Sequence, residues 1–198
     1  VTTILIATKN EGKAKEFKAF FGPKGFKVKT LNEMDELPDI IENGKTFTEN
    51  ALIKAQTLTD KLKMTVLADD SGLMVDALDG APGIFSARYA GDHDDAANNA
   101  KLLRELKGLP LSKRTATFHT SLAVTSVSKE PLIVAGNVKG LILDKQRGAD
   151  GFGYDPLFYI PELDKTFAEL TPIEKNKVSH RGKAVQVLSE NFDDWWER

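Results

Sequence analysis

The chain has 198 residues, 41% hydrophobic and 28% charged, with a formal net charge of -2. That balance predicts a packed globular core and gives no electrostatic footprint for duplex DNA or RNA. The absence of cysteine excludes disulfide scaffolds, thiolate zinc sites and cysteine nucleophiles, and no apolar run approaches bilayer length.

The expectation is therefore a cytoplasmic protein with neither a nucleic-acid nor a membrane partner. Val1–Ala7 is too short and too lightly flanked to be a signal peptide, and Val1 is not expected to be the encoded start. There is no internal repeat and no low-complexity stretch. Ile4–Ala7 reads as a buried strand. It runs into Thr8–Gly12 and then a helix over Lys13–Phe21, where Ala14, Phe17, Phe20 and Phe21 share a stripe. Gly22-Pro23 ends that helix, and Phe26–Thr30 reads as a second strand. A β–loop–α–β opening points to an α/β sheet.

Thr46-Phe47-Thr48-Glu49 matches a capping box for a helix from about Thr48 to Lys63, with Ala51, Leu52, Ala55, Leu58 and Leu62 on one face. Val66–Ala68 reads as a buried strand that delivers Asp69 and Asp70 at its end. Asp76–Gly91, rich in Gly, Pro and Ala, reads as an ordered loop, and Asp94–Leu106 as a helix stopped by Gly108 and Pro110. Thr115–Val127 and Leu132–Val138 read as a pair of longer, antiparallel strands. Gly148–Pro156 is a second glycine-rich loop. Thr171-Pro172-Ile173-Glu174 is another capping box, with Pro at the first helical position. The last helix, Ser179 to about Phe192, is expected to bury Val185, Leu188 and Phe192. No linker cuts the chain, which predicts one domain, 1–198, with two lobes and a cleft.

Four segments carry chemistry. Thr8–Lys13 places hydroxyl, amide and cationic donors where a helix begins, and free N–H groups there suit phosphate oxygens. It is not a P-loop, because Ala7 and Thr8 stand where the opening glycine belongs and Ala14 replaces the final Ser/Thr. The bland alternative is a capped βα turn with a solvated lysine. Asp69-Asp70-Ser71-Gly72 sets two carboxylates side by side, which repel unless a cation or solvent separates them. An Asx-type turn is the alternative there. Glu42 is either a further oxygen ligand or a solvated loop acid.

Gly151-Phe152-Gly153-Tyr154-Asp155-Pro156 puts an aromatic between glycines, so a flat ligand can lie against the ring. Otherwise Phe152 and Tyr154 close a small core. Ser179-His180-Arg181 places two cations in a first helical turn, where they are mildly unfavourable unless an anionic or carbonyl partner faces them. The alternative is a surface cap. His93 and His119 read as a loop and a strand residue, with no zinc-ligand spacing.

Ala7–Lys13, Thr46–Ala51, Leu67–Leu73, Gly80–Tyr89, Gly151–Pro156 and Ser179–Gly182 together resemble the inosine/xanthosine triphosphate pyrophosphatase family, in order and along essentially the whole chain. The resemblance implies an elongated mixed α/β fold, its central sheet flanked by helices, with a deep substrate cleft between two lobes, and a homodimer. It implies Mg²⁺-dependent hydrolysis of ITP, dITP and XTP to the monophosphate and pyrophosphate. Thr8, Lys9, Asn10, Glu11, Gly12 and Lys13 would hold the triphosphate, with Lys13 also catalytic. Asp70 would be general base and metal ligand, with Glu42 and Asp69 near the metal. Ser71, Phe152, Gly153, Tyr154, Asp155, Lys175, His180 and Arg181 would bind substrate.

Overall fold

Ile4, Leu5 and Ile6 are buried on both faces, as a central strand of a parallel layer requires. The computed structural model describes residues 2–198; Val1, and the expectation attached to it, lie outside them. Strand β1 (Thr3–Ile6) pairs in parallel with β2 (Lys27–Thr30) and with β3 (Thr65–Val75). Helix α1 (Glu11–Phe21) connects β1 to β2, and α2 (Phe47–Leu62) precedes β3. Helix α3 (Asp95–Glu105) comes before β4 (Thr115–Ser126) and β5 (Lys129–Ile142). Only Val127 and Ser128 separate these two, a connection that suits an antiparallel pair. Short strands β6 (Phe158–Ile160) and β7 (Lys165–Thr166) follow, then helices α4 (Pro172–Val178) and α5 (His180–Glu197). The seven strands form one mixed sheet in the order β2-β1-β3-β4-β5-β6-β7.

The helix starts are set locally. Asn10 caps α1 by accepting from Lys13 N at 3.1 Å, so the helix begins two residues before the expected Lys13. Thr46 caps α2, but Glu49 turns to Lys45 N (2.6 Å), so the expected capping box closes one residue early. At α4 the box is complete, with Glu174 N on Thr171 Oγ1 and Thr171 N on Glu174 Oε2. Such a cap stabilises a helix by about 1 kcal/mol. Helix α1 passes through Gly22-Pro23 as a 3₁₀ turn and stops at Gly25, whose φ is 83°.

Two expectations need larger correction. The strand expected to end at Ala68 continues to Val75, so Asp69 and Asp70 stand in mid-strand, and cross-strand pairing overrides the turn signal of Asp-Ser-Gly. In α5 it is Ala184, not Val185, that is buried with Leu188 and Phe192, and the helix runs on to Glu197.

The chain divides into two compact units. One takes the chain up to Asp70 with Ser121–Val134 and Val187–Arg198; the other takes Ser71–Thr120 and Ala135–Gln186. The first has a core of Leu5, Ala51, Ala55, Leu58, Val66 and Ala123, and an aromatic cluster of Phe20, Phe21, Phe26, Phe192, Trp195 and Trp196. Trp195 and Trp196 thus belong to that cluster, and Lys129 Nζ reaches both their carbonyls at the end of α5. The second unit packs Leu73, Leu102, Phe118, Val138, Phe158 and Phe167 together. Burying each such side chain contributes about 1.5–3 kcal/mol.

Candidate active site

In the first unit, the turn after β1 braces itself. Thr8 Oγ1 accepts from Asn10 N at 3.1 Å, and the Asn10 side chain holds Lys13 N. Lys9 is exposed, and Glu11 accepts from Asn32 Nδ2 at 2.6 Å. Lys13 then reaches across to β3, with Nζ 2.6 Å from Asp69 Oδ2, and Asp69 is only 4% exposed. The reading of Lys13 as a solvated lysine fails here.

Lys54 completes this group. From α2 its ammonium lies 2.7 Å from Glu42 Oε1 and donates to the Asp69 carbonyl at 3.1 Å. Burial works against its charge, but Asp69 and Glu42 outweigh it and lift its pKa above the usual lysine value. Glu42 is therefore an ion-paired, half-buried acid and not a solvated one. Asp70 is lifted to about 6, first by burial; Lys54 opposes this, while Glu42 and Asp69 add to it. Asn50 pulls the Asp70 pKa the other way and accepts from Gly44 N at 2.8 Å, tying the Glu42–Gly44 segment to α2. Asp70 Oδ2 is buried with no hydrogen-bond partner among the described residues. Nor, among the described residues, do three or more His, Cys, Asp or Glu side chains gather into a metal cage.

In the second unit the glycine-rich loop and α4–α5 come together. Lys175 Nζ lies 2.5 Å from Asp155 Oδ2, and Phe152 N donates to the same oxygen at 3.1 Å. Burial nonetheless leaves the Asp155 carboxyl above its usual pKa, against the pull of Lys175, the Phe152 peptide and Arg181. Gly151 is required here: its φ is +75°, and a Cβ would stand 2.1 Å from Asp155 Oδ2.

The two aromatics of this loop separate in role. Tyr154 is buried and donates to Ser86 O at 2.6 Å, whereas Phe152 stays 42% exposed. Lys175 Nζ lies 4.8 Å and Arg181 Cζ 5.8 Å from the centre of the Phe152 ring. Ser179 caps α5 by accepting from Gly182 N at 3.0 Å. His180 stacks on Phe118 at 4.7 Å and is buried, as is Arg181, so the surface-cap reading fails. Gly136 on β5 lets the first turn of α5 sit against the strand: a Cβ there would be 2.1 Å from His180 O and 2.5 Å from Ala184 N. Ser71 pairs its hydroxyl with Thr120.

Lys54 and Asn50 are the participants that sequence reasoning missed. The available signal was a polar pair four residues apart on α2, which falls on one helix face.

A parallel strand ending in a self-capped, lysine-bearing turn, beside the adjacent carboxylates of Asp69 and Asp70, marks the candidate site of this α/β protein. Residues 4–191 match the Ham1 family. The chain is 54% identical over 196 residues to the dITP/XTP pyrophosphatase of Lactiplantibacillus plantarum, covering 99% of this chain and 97% of that one. It is 49% identical over 199 residues to the dITP/XTP pyrophosphatase of Listeria monocytogenes, covering 100% and 98%. Among solved structures, a HAM1 protein from Coxiella burnetii superposes with a TM-score of 0.90 at 41% identity, covering 98% of this chain and 100% of that one. The Staphylococcus aureus Ham1 protein gives 0.89 at 41% identity, covering 98% and 99%. The chain belongs to the Ham1 family.

Proposed function

We propose that this protein hydrolyses the non-standard purine triphosphates ITP, dITP and XTP to the monophosphate and pyrophosphate, removing deaminated purines from the nucleotide pool. The carrying observation is the buried Asp70 carboxylate, with Oδ2 unpartnered among the described residues, beside lysine-paired Asp69 and Glu42. The relatives named dITP/XTP pyrophosphatase support the same reading.

These residues fit Mg²⁺. That ion takes one or two carboxylates and completes its shell with waters and substrate phosphates, so a cage of protein acids is not required. Asp70 would hold it, with Glu42 and Asp69 near; when bound it neutralises triphosphate charge. Thr8, Lys9, Asn10, Glu11, Gly12 and Lys13 serve the triphosphate, where Lys13 and the start of α1 supply positive charge. Asp70 takes the proton of the water that attacks in line with the leaving pyrophosphate.

The second unit serves the base. Phe152 offers its exposed face for stacking, within the Phe152–Asp155 loop, and Ser71 contributes a hydroxyl. Lys175, His180 and Arg181 donate towards a 6-keto oxygen. Adenine presents an amino group there, and each unsatisfied buried group costs about 1–3 kcal/mol. Arg181→Ala is expected to impair ITP far more than residual ATP turnover; equal loss on both counts against base reading. Chain 1–198 acts as one domain, as a homodimer and in the cytoplasm on this proposal; light scattering tests the dimer. Among the described residues no helix is long and apolar enough to cross a membrane.

The test is pyrophosphate release from ITP, XTP, GTP and ATP with and without Mg²⁺. Metal-dependent release confined to ITP and XTP supports the reading. Binding of ITP without turnover makes the protein a sensor and removes Asp70 as a base.

A further inference from the structure

Helix α3 belongs to none of the motifs discussed so far, yet it reaches the loop that carries Phe152. Asp94 caps the helix by accepting from Ala97 N at 2.9 Å, which fixes its first turns. Asp95 and Asn99, four residues apart, lie on one face of it. Asp95 Oδ2 accepts from Gly153 N at 2.8 Å, and Asn99 Nδ2 donates to Gly153 O at 2.9 Å. Both main-chain polar groups of one residue are thus held by one helix. Gly153 has a φ of +60°, which glycine adopts freely among its many conformations, and it directly follows Phe152.

Asn99 is 3% exposed, and its Oδ1 has no hydrogen-bond partner among the described residues. A half-satisfied buried amide is costly. An apolar side chain would avoid that cost, so the retained amide is explained by the bond its other half makes to Gly153. On the far side of Phe152, Gly151 and Asp155 set the loop, and Tyr154 is anchored on Ser86. Within the loop the Phe152 carbonyl accepts from Asp155 N at 3.2 Å, and the α3 bonds add a second hold from outside it, on the Gly153 N–H and on the Gly153 carbonyl; an aromatic platform gains affinity only when it is held in place.

We propose that Asp95 and Asn99 are positioning residues for base recognition: they clamp Gly153 and so aim the Phe152 ring at the purine. This rests on the base-stacking role given to Phe152 above.

The experiment is steady-state kinetics on ITP with thermal melting, for wild type, Asn99→Ala, Asp95→Ala, Asp95→Asn and Phe152→Ala. Asn99→Ala and Asp95→Ala are expected to raise KM for ITP about tenfold while changing kcat less than about twofold, because a displaced platform weakens binding and leaves the phosphate chemistry intact. Asp95→Asn keeps an acceptor for Gly153 N and is expected to stay within about twofold of wild type. A fall in melting temperature with KM unchanged in both alanine variants assigns α3 a structural role alone and overturns the proposal. If Phe152→Ala raises KM and the clamp variants do not, the clamp fails while stacking stands. If Phe152→Ala leaves KM unchanged, the stacking role fails and the clamp with it.

Discussion

Lys175 and Asp155 meet at 2.5 Å, and neither is more than 13% exposed. A buried pair of this kind stabilises little in itself, yet removing one partner strands the other charge at a cost of about 3–5 kcal/mol. Lys175→Met is therefore expected to destabilise the protein by about that amount, measured by denaturant unfolding. Adding Asp155→Asn is expected to recover much of the loss. A double variant no more stable than Lys175→Met would show that the pair is not the source.

Asp70 illustrates a trade between stability and activity. Its carboxylate is buried and repelled by Glu42 and Asp69. Asp70→Asn is expected to reduce pyrophosphate release by about 10²–10⁴-fold, the usual contribution of a general base. In chelator, the same variant is expected to melt no lower than wild type, since it removes a crowded charge. Calorimetry alongside a pyrophosphate assay checks both halves.

Glu169 sets an acid-sensitive contact in the second unit. It accepts from Thr166 N at 2.9 Å and from two Arg147 nitrogens at 2.9 and 3.1 Å. The hydrogen bond from the Thr166 peptide, with help from Arg147, holds its carboxyl below the ordinary glutamate value of 4.5 against the opposing effect of burial. A folded pKa below the unfolded one gives stability that is present above 4.5 and lost as pH falls through the lowered value. Glu169→Gln should narrow the stability difference between about pH 7 and about pH 3, read from urea midpoints. An unchanged pH slope would remove Glu169 from the acid limb.

Lys129 caps α5 through the carbonyls of Trp195 and Trp196, at 3.3 and 2.9 Å, and lies 5.6 and 5.7 Å from their ring centres. Charge at a helix C-terminus and cation–π contact together are worth about 1–2 kcal/mol. Lys129→Ala is expected to lower stability by about that much and to alter tryptophan emission, with kcat/KM on ITP unchanged.

What the sequence made legible was local. Thr8–Lys13, Thr171–Glu174 and Ser179 announce their turns because a capping side chain acts within three residues. The extension of β3 through Asp69-Asp70-Ser71 was not legible, because its partner strand β4 lies some fifty residues on. Strands β6 and β7, two or three residues long, have too little periodicity to register without their neighbours. Lys54 was missed because a lysine on a helix ordinarily reads as solvated; only Glu42 and Asp69, brought in from other elements, give it a burial site. His180 and Arg181 could be suspected from their unfavourable helix position, but the Phe118 ring that encloses the histidine comes from β4.

The contact at Gly136 is made by main chain on the helix side, through His180 O and Ala184 N. The close approach of α5 to the strand thus depends on position 136 having no side chain, and His180 adds a separate hold through its stacking on Phe118. Any larger residue at Gly136 is expected to push that turn outward and to displace His180 and Arg181 together.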